Sequence, residues 1–481
     1  MPSDSIITPS ILIARFLRAN NYRDTLSAFI REAGLPQDVG LGVGGESDTW
    51  TIEEIIEEKK AFDKTLNFER LGNEREDSQD SWTVPAPSQP TVVETLNPAN
   101  LLSISVFRVG GSGDNDARPP SVVATSADRR LSIYDITYNH SSVASYTDLA
   151  DSPILSCTPV QNERCLAMTT MSGKLLLCRG SEILNSRTDH VKYAVQVVSQ
   201  DEQERSFTWL ATAGWDRKIF LYQMNWTGTP LIEEPLDAIE LTTNPECILF
   251  TRNRDTGDLV LIASRRDSTH LYYYLVEARE APLTTENLKS YKCRFLGRQN
   301  LAPHSNAWVA FSPSYFALSP HDPGLLAVAT STLPHMKVMI VRLLIPPSDE
   351  VSSESNMDDL YGTQAFAALS IQNREDAAIL VQANAMAPQT PYSTPRVVWR
   401  PDGSGIWVNG DDGVVRGMEA KTGKIIATLT GGHEPGSKIR SLWAGWVQMD
   451  DGESQGEEWL ISGGFDKKLI IWKIDSGNKT K

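Results

Sequence analysis

The chain has 481 residues, with 61 Asp plus Glu against 45 Lys plus Arg, a net charge of −16 and a hydrophobic content of 40%. That length allows two to four domains or one repeat array, and the apolar content excludes a wholly disordered chain. The acidity argues against sequence-independent nucleic-acid binding and against attraction to anionic lipid, which both need Lys and Arg. Direct nucleic-acid binding and membrane association are not expected. The five cysteines, Cys157, Cys165, Cys178, Cys247 and Cys293, form no CxxC pair. Reduced thiols are expected, in an intracellular setting, nucleus or cytoplasm, rather than a disulfide framework or zinc knuckle. No apolar run approaches the ~18 residues of a membrane span. Arg15 and Arg18 interrupt the first apolar stretch, so it does not read as a signal peptide.

Residues 8–34 read as two short helices. Thr8 suits the cap and Pro9 the first helical position, while Asn20 and Asn21 break the pattern. Tyr22, Leu26, Phe29, Ile30 and Ala33 form one apolar stripe, and Gly34 followed by Pro36 stops it. Two such helices are marginal alone. The stripe therefore needs a partner, and a second copy supplies one. The segment 10–35 resembles the LisH motif at Ile13, Phe16, Leu17, Tyr22, Thr25, Phe29, Glu32 and Gly34. That resemblance implies a homodimer, with Ile13, Phe16, Leu17, Tyr22, Leu26, Phe29 and Ile30 as candidate dimerisation residues. A hairpin docked on its own chain is the alternative.

The module is placed at 1–38. A glycine loop and an amphipathic helix are placed at 39–71. There Thr51 and Glu54 form a capping box, and Ile52, Ile55, Ile56, Phe62 and Leu66 share a face. Many LisH proteins carry a CTLH segment at this point, but no full-length match is visible. Residues 72–90 are polar, acidic and proline-rich, and read as a linker.

From about 91 onward short strands alternate with turns, and no long helix is evident. Three segments repeat: 123–136 (VATSADRRLSIYDI), 210–224 (LATAGWDRKIFLYQM) and 460–474 (LISGGFDKKLIIWKI). Each carries an apolar strand, an Asp in a tight turn, a basic pair and an alternating strand. Residues 406–419 keep the turn Asp412 but lack the aromatic, and weaker units begin at 165, 259 and 325. These segments resemble WD repeats, the blades of a β-propeller. Seven units are counted, about 55 residues apart against the usual ~40–45, so several loops are long. The longest, 348–376, is acidic and Ser-rich and is expected to be mobile. The fold class is mainly β: a seven-bladed WD40-type propeller over 91–476, after a small helical LisH module and before a tail at 477–481. The β-favouring segment 91–96 is expected to close the ring against the last blade.

The WD resemblance implies a polar network of turn Asp, strand Ser or Thr, loop His and strand Trp. The candidates are Asp466, Ser462, His433 and Trp472 in the last unit, and Asp216, Thr212 and His190 in the third, with Tyr222 in place of Trp. Asp128 and Asp412 hold the turn position elsewhere. Basic pairs flank the turn Asp in four units: Arg129 and Arg130, Arg217 and Lys218, Arg265 and Arg266, Lys467 and Lys468. On one face of a propeller they form a candidate rim for an acidic or phosphorylated peptide. The plainer reading is solvated surface.

Catalytic signatures are lacking. The glycines at 40–45 match GxGxxG but follow a helix, not a strand. Residues 171–174 end in GK without the first glycine of a phosphate loop, and no HExxH or metal-ligand spacing occurs. No metal, cofactor or catalytic residue is assigned. The combined architecture is similar to scaffolds such as dynein regulators, corepressor subunits, spliceosome factors and ubiquitin-ligase subunits. The resemblance implies a non-catalytic, homodimeric adaptor that binds partner proteins or peptides on the propeller. Alternatives are a subunit of a GID/CTLH-like ubiquitin ligase or of a corepressor or spliceosome complex, and, from another class, a hydrolytic propeller enzyme. The WDxR signature of cullin-ligase receptors is absent, the nearest segment being 472–475.

Overall fold

The computed structural model describes residues 9–39, 51–53, 81–95, 97–107, 120–135, 142–226, 230–278, 291–304, 311–347, 361–447 and 456–475. They fall into two compact units, a helical pair within the first 68 residues and a ring of sheets. The expected glycine loop at 40–45, most of the 51–71 helix and the 477–481 tail lie outside the described residues.

In the helical pair, α1 spans Pro9–Ala19 and α2 spans Arg23–Glu32. Asn21, at φ 58°, turns the chain between them in the left-handed region that Asn tolerates. Gly34, at φ 62°, ends α2, and the Leu35 amide reaches back to the Ile30 carbonyl at 3.0 Å. Ala14, Leu26 and Ile30 are buried between the helices, with Leu17, Phe29 and Val39 against them. Arg18 ties down the following segment through the carbonyls of Gln37 (2.6 Å) and Val39 (3.0 Å). Tyr22 and Ala33 of the expected apolar stripe are exposed in the single chain, as is Ile13.

The ring has seven antiparallel sheets. Blade one holds β2 (Leu101–Phe107), β3 (Ser121–Ser126), β4 (Leu131–Asp135) and β5 (Ser142–Tyr146). Blade two holds β6 (Ile154–Val160), β7 (Cys165–Thr170), β8 (Lys174–Arg179) and β9 (Glu182–Thr188). Blade three holds β10 (Ala194–Glu202), β11 (Phe207–Gly214) and β12 (Lys218–Asn225), with its outer edge split into β13 (Leu231–Ile232) and β14 (Asp237–Glu240). Blade four holds β15 (Pro245–Arg252), β16 (Leu259–Arg265), β17 (His270–Ala278) and β18 (Tyr291–Asn300). Blade five holds β19 (Pro313–Leu318), β20 (Leu325–Thr330), β21 (His335–Arg342) and β22 (Ile379–Pro388). Blade six holds β23 (Val397–Trp399), β24 (Gly405–Val408), β25 (Val415–Glu419) and β26 (Ile425–Leu429). Blade seven holds β27 (Ile439–Val447), β28 (Glu457–Gly464) and β29 (Leu469–Lys473).

The outer strand of blade seven comes from the other end of the chain. It is β1, Gln89–Val93, paired antiparallel with β29 from Gln89 opposite Lys473 to Val93 opposite Leu469. The closing strand thus begins and ends earlier than the expected 91–96. Apolar side chains fill the spaces between blades. Trp459, Ile461 and Ile471 of blade seven meet Ile104, Val122 and Tyr134 of blade one across the closure.

Two expectations need correction. Residues 361–376, read as mobile loop, belong to α3 (Tyr361–Ala378), an 18-residue helix between β21 and β22. Glu375 on α3 accepts the Asn300 amide at 2.7 Å, which fixes the helix to blade four. Residues 81–88, read as linker, instead strap blade six to blade seven. The Trp82 ring stands edge-on to Trp407 at 5.1 Å, over the backbone of Gly405 and Gly417. A Cβ at either glycine would lie 2.5 Å from that ring, so no larger residue fits there. The Arg400 guanidinium stacks on Trp82 at 4.4 Å, donates to the Thr83 carbonyl, and pairs with Glu458 at 2.6 Å. Arg400 and Glu458 are 1% and 2% exposed.

Candidate partner-binding face and central channel

Antiparallel strands put two kinds of connection at the same end of each blade: the turn between the second and third strands, and the loop leading in from the preceding blade. Hydrogen bonds across the two mark this face. In blade seven the His433 Nδ1 lies 2.9 Å from the Asp466 carboxylate, and its Nε2 lies 2.8 Å from the Ser462 hydroxyl. The Trp472 indole donates to that same hydroxyl at 2.8 Å. Since Nδ1 faces a carboxylate it carries a proton, and the Ser462 hydroxyl accepts from Trp472 while bonding His433 Nε2. Burial pushes the Asp466 carboxyl up. The bonds from His433 and from the Glu434 and Lys468 amides outweigh burial and hold it below the usual aspartate value.

Blade three brings His190, Asp216 and Thr212 together in the same way, at 2.9 Å and 2.9 Å. Its Tyr222 hydroxyl donates elsewhere, to Asp189 at 3.1 Å. Burial pulls the His190 imidazolium down against the pull of Asp216, so the ring is neutral. Among the described residues, Asp128 and Asp412 meet no histidine. Asp128 accepts from Ser126 and Arg130, and Asp412 takes Arg416 at 2.6 Å.

The basic pairs do not act alike. Arg129, Arg217 and Lys467 sit at the left-handed turn position, φ 66–68°, and are exposed. Among the described residues these three form no ion pair. Their neighbours fold back: Arg130 to Asp128, Lys218 to Glu240 and Lys468 to Glu434, at 3.3–3.4 Å. In blade four the left-handed residue is Asp267, one position later, so the arginines lie before it. Arg265 stacks on Tyr272 at 5.1 Å and Arg266 pairs with Glu246 at 2.8 Å.

The same connections carry apolar side chains outward. Trp215 and Phe465, just before the turn Asp, are exposed, and Trp215 lies against Tyr193 at 5.2 Å. Val191 is 86% exposed and Tyr392 88%, and Leu333 is exposed at the β20–β21 turn. Repeat alignment does not single these residues out, because it weighs the Asp and the strands on either side. The signal available is a large aromatic directly before the turn Asp, where a buried side chain has no place to go.

The face opens on a central channel of about 300 Å³. The innermost strand of six blades is irregular one residue from its start, leaving Leu102, Leu155, Val195, Glu246, Ser314 and Arg440 out of the ladder. Such bulges re-aim side chains, and all of these except Leu102 line the channel. Polar side chains stitch the wall. Ser441 accepts the Ile104 amide at 2.9 Å, and Gln196 bonds both backbone groups of Ile248.

Among the described residues no three His, Cys, Asp or Glu converge as metal ligands. Four of the five cysteines are buried, all five are free, and burial pushes Cys178 and Cys293 to about 12. Among the described residues no helix is long and apolar enough to cross a membrane.

Family models match both units. Residues 112–473 match the beta-propeller domain of UCP007778, and residues 10–37 match its LisH domain. The chain belongs to the UCP007778 family. Its seven-bladed propeller and its LisH helices are the family's two parts, and this pairing supports a protein-interaction scaffold kind of role. No curated protein matches the chain.

Proposed function

We propose that the chain is a non-catalytic intracellular adaptor. It pairs with a second copy of itself through α1 and α2, and it holds a segment of a partner protein on the turn face of the propeller. The observation that carries this reading is the exposed set Val191, Tyr193, Trp215, Leu333, Tyr392 and Phe465 on that one face. Aromatic anchors dominate protein interfaces, and Trp215 and Tyr193 stand together on this face at 5.2 Å. Arg129, Arg217 and Lys467 at the turns favour a partner segment with acidic residues beside its apolar anchors.

The test is affinity purification with mass spectrometry on three forms: the full chain, the full chain with Trp215→Ala and Tyr392→Ala, and a chain lacking residues 1–71. A partner recovered stoichiometrically on the first, lost on the second and thinned on the third supports the adaptor. Equal recovery on the first two removes the turn face from the reading.

A further inference from the structure

The channel holds an unusual charge arrangement for so acidic a chain. Its lining carries Arg266, Arg396 and Arg440 against one carboxylate, Glu246, and no Lys or Asp. Glu246 is already taken by Arg266 at 2.8 Å. Arg396, directly before β23, and Arg440, at the bulge of β27, come from adjacent blades. Among the described residues neither forms an ion pair, and the Nε of each is buried without a hydrogen-bond partner. Arg396 stacks on the Tyr315 ring at 4.2 Å and hydrogen-bonds the Tyr315 side chain, which fixes its plane but leaves its Nε unsatisfied. Burial and then the charge of Arg396 depress Arg440 to about 10, so the two cations feel each other.

Two neighbouring guanidiniums left unpaired inside a cavity are costly unless an anion completes them. We propose that Arg396 and Arg440 form a channel seat for a phosphate-type oxyanion, free or carried as a monoester on a small molecule. A phosphate dianion cancels both charges, whereas a carboxylate leaves one over. Its oxygens also match the forked donors of two arginines. Hydroxyl donors stand nearby, since Ser314 and Ser441 line the same cavity. The cavity volume is at the low end for small-molecule sites, which suits a compact ligand. The seat is independent of the partner-binding reading and stands if the turn face captures nothing.

The test is calorimetric titration of the full chain with inorganic phosphate and, separately, glycerol phosphate, against acetate at matched ionic strength. Phosphate or its ester is expected to bind at least about tenfold more tightly than acetate, and Arg396→Gln or Arg440→Gln to weaken it at least about tenfold. Stronger binding of the ester than of free phosphate identifies an esterified ligand, and the reverse identifies the free ion. Each substitution removes a half-buried charge that has no ion-pair partner among the described residues, so neither variant should melt below the native chain without phosphate. Absence of binding up to about 10 mM phosphate, equal binding of acetate, or unchanged binding by the double variant overturns the seat. A second measurement needs no variant: phenylglyoxal modification of the native chain with peptide mapping. Phosphate should protect the peptides carrying Arg396 and Arg440, and failure to protect them overturns the proposal as well.

Discussion

One hydroxyl in blade seven serves two neighbours at once. Ser462→Ala strands both the Trp472 indole N–H and the His433 Nε2 in a fully buried site. In blade three Thr212 serves His190, while Tyr222 donates to Asp189. Each orphaned buried group costs about 1–3 kcal/mol, so Ser462→Ala should cost about 2–4 kcal/mol and Thr212→Ala about half that. Thermal melting of the two variants reads the difference, and equal losses would mean that the indole bond contributes nothing. A second residue gives the propeller a dependence on pH. Burial, then the Arg298 and Arg265 charges, depress His270 to about 4. An unfolded histidine titrates near 6.5, so the unfolded chain binds the proton first as the pH falls. Stability from this site is complete above about pH 6.5 and drains away towards about pH 4. His270→Gln should therefore flatten the melting temperature across that window and leave it unchanged above pH 7. Parallel profiles for the two proteins would exclude His270 as the cause.

At the scale of elements, the strap over 81–88 and the strand that follows it decide whether the ring holds. Arg400→Met leaves the Glu458 carboxylate buried and unpaired, a change that typically costs about 3–5 kcal/mol. Trp82→Ala empties the slot over Gly405 and Gly417 and should cost somewhat less, about 2–4 kcal/mol, because the ring is only half-buried. Urea unfolding of both variants and of the double variant tests this. Since Trp82 stacks on Arg400, the two losses should fall short of additive. The blades with a turn Asp were legible from the repeat, because Asp128, Asp216 and Asp466 sit between strands of matching length. The strap was not, because one tryptophan in a polar, proline-rich stretch does not alter its composition. Nor was α3: the sequence over 361–378 has no apolar stripe at helical spacing, and a propeller repeat predicts no helix between these strands.

At the scale of the whole molecule, the proposed pairing of the helices sets the valency. Ile13 and Tyr22 are exposed on the helical pair, and Ile13→Asp with Tyr22→Asp should turn a dimer into a monomer in sedimentation equilibrium. The melting of the propeller should not change, and a bivalent partner should lose about 10²–10⁴ in apparent affinity. A native chain that sediments as a monomer would end the dimer reading. The LisH pattern was legible because its spacing is local. The pairing of Arg396 with Arg440 was not, because only closure of the ring brings adjacent blades into one channel.

The closing strand couples two parts of the chain that are synthesised far apart in time. β1 leaves the ribosome early, but its partner β29 follows roughly 380 residues later. At about 5–20 residues per second, the nascent chain carries an unmatched strand for roughly twenty seconds to more than a minute. A stop codon at position 469 spares 468 residues yet removes all of β29, leaving β1 and β28 with no strand between them. Such a truncation should be as damaging as one that removes whole blades.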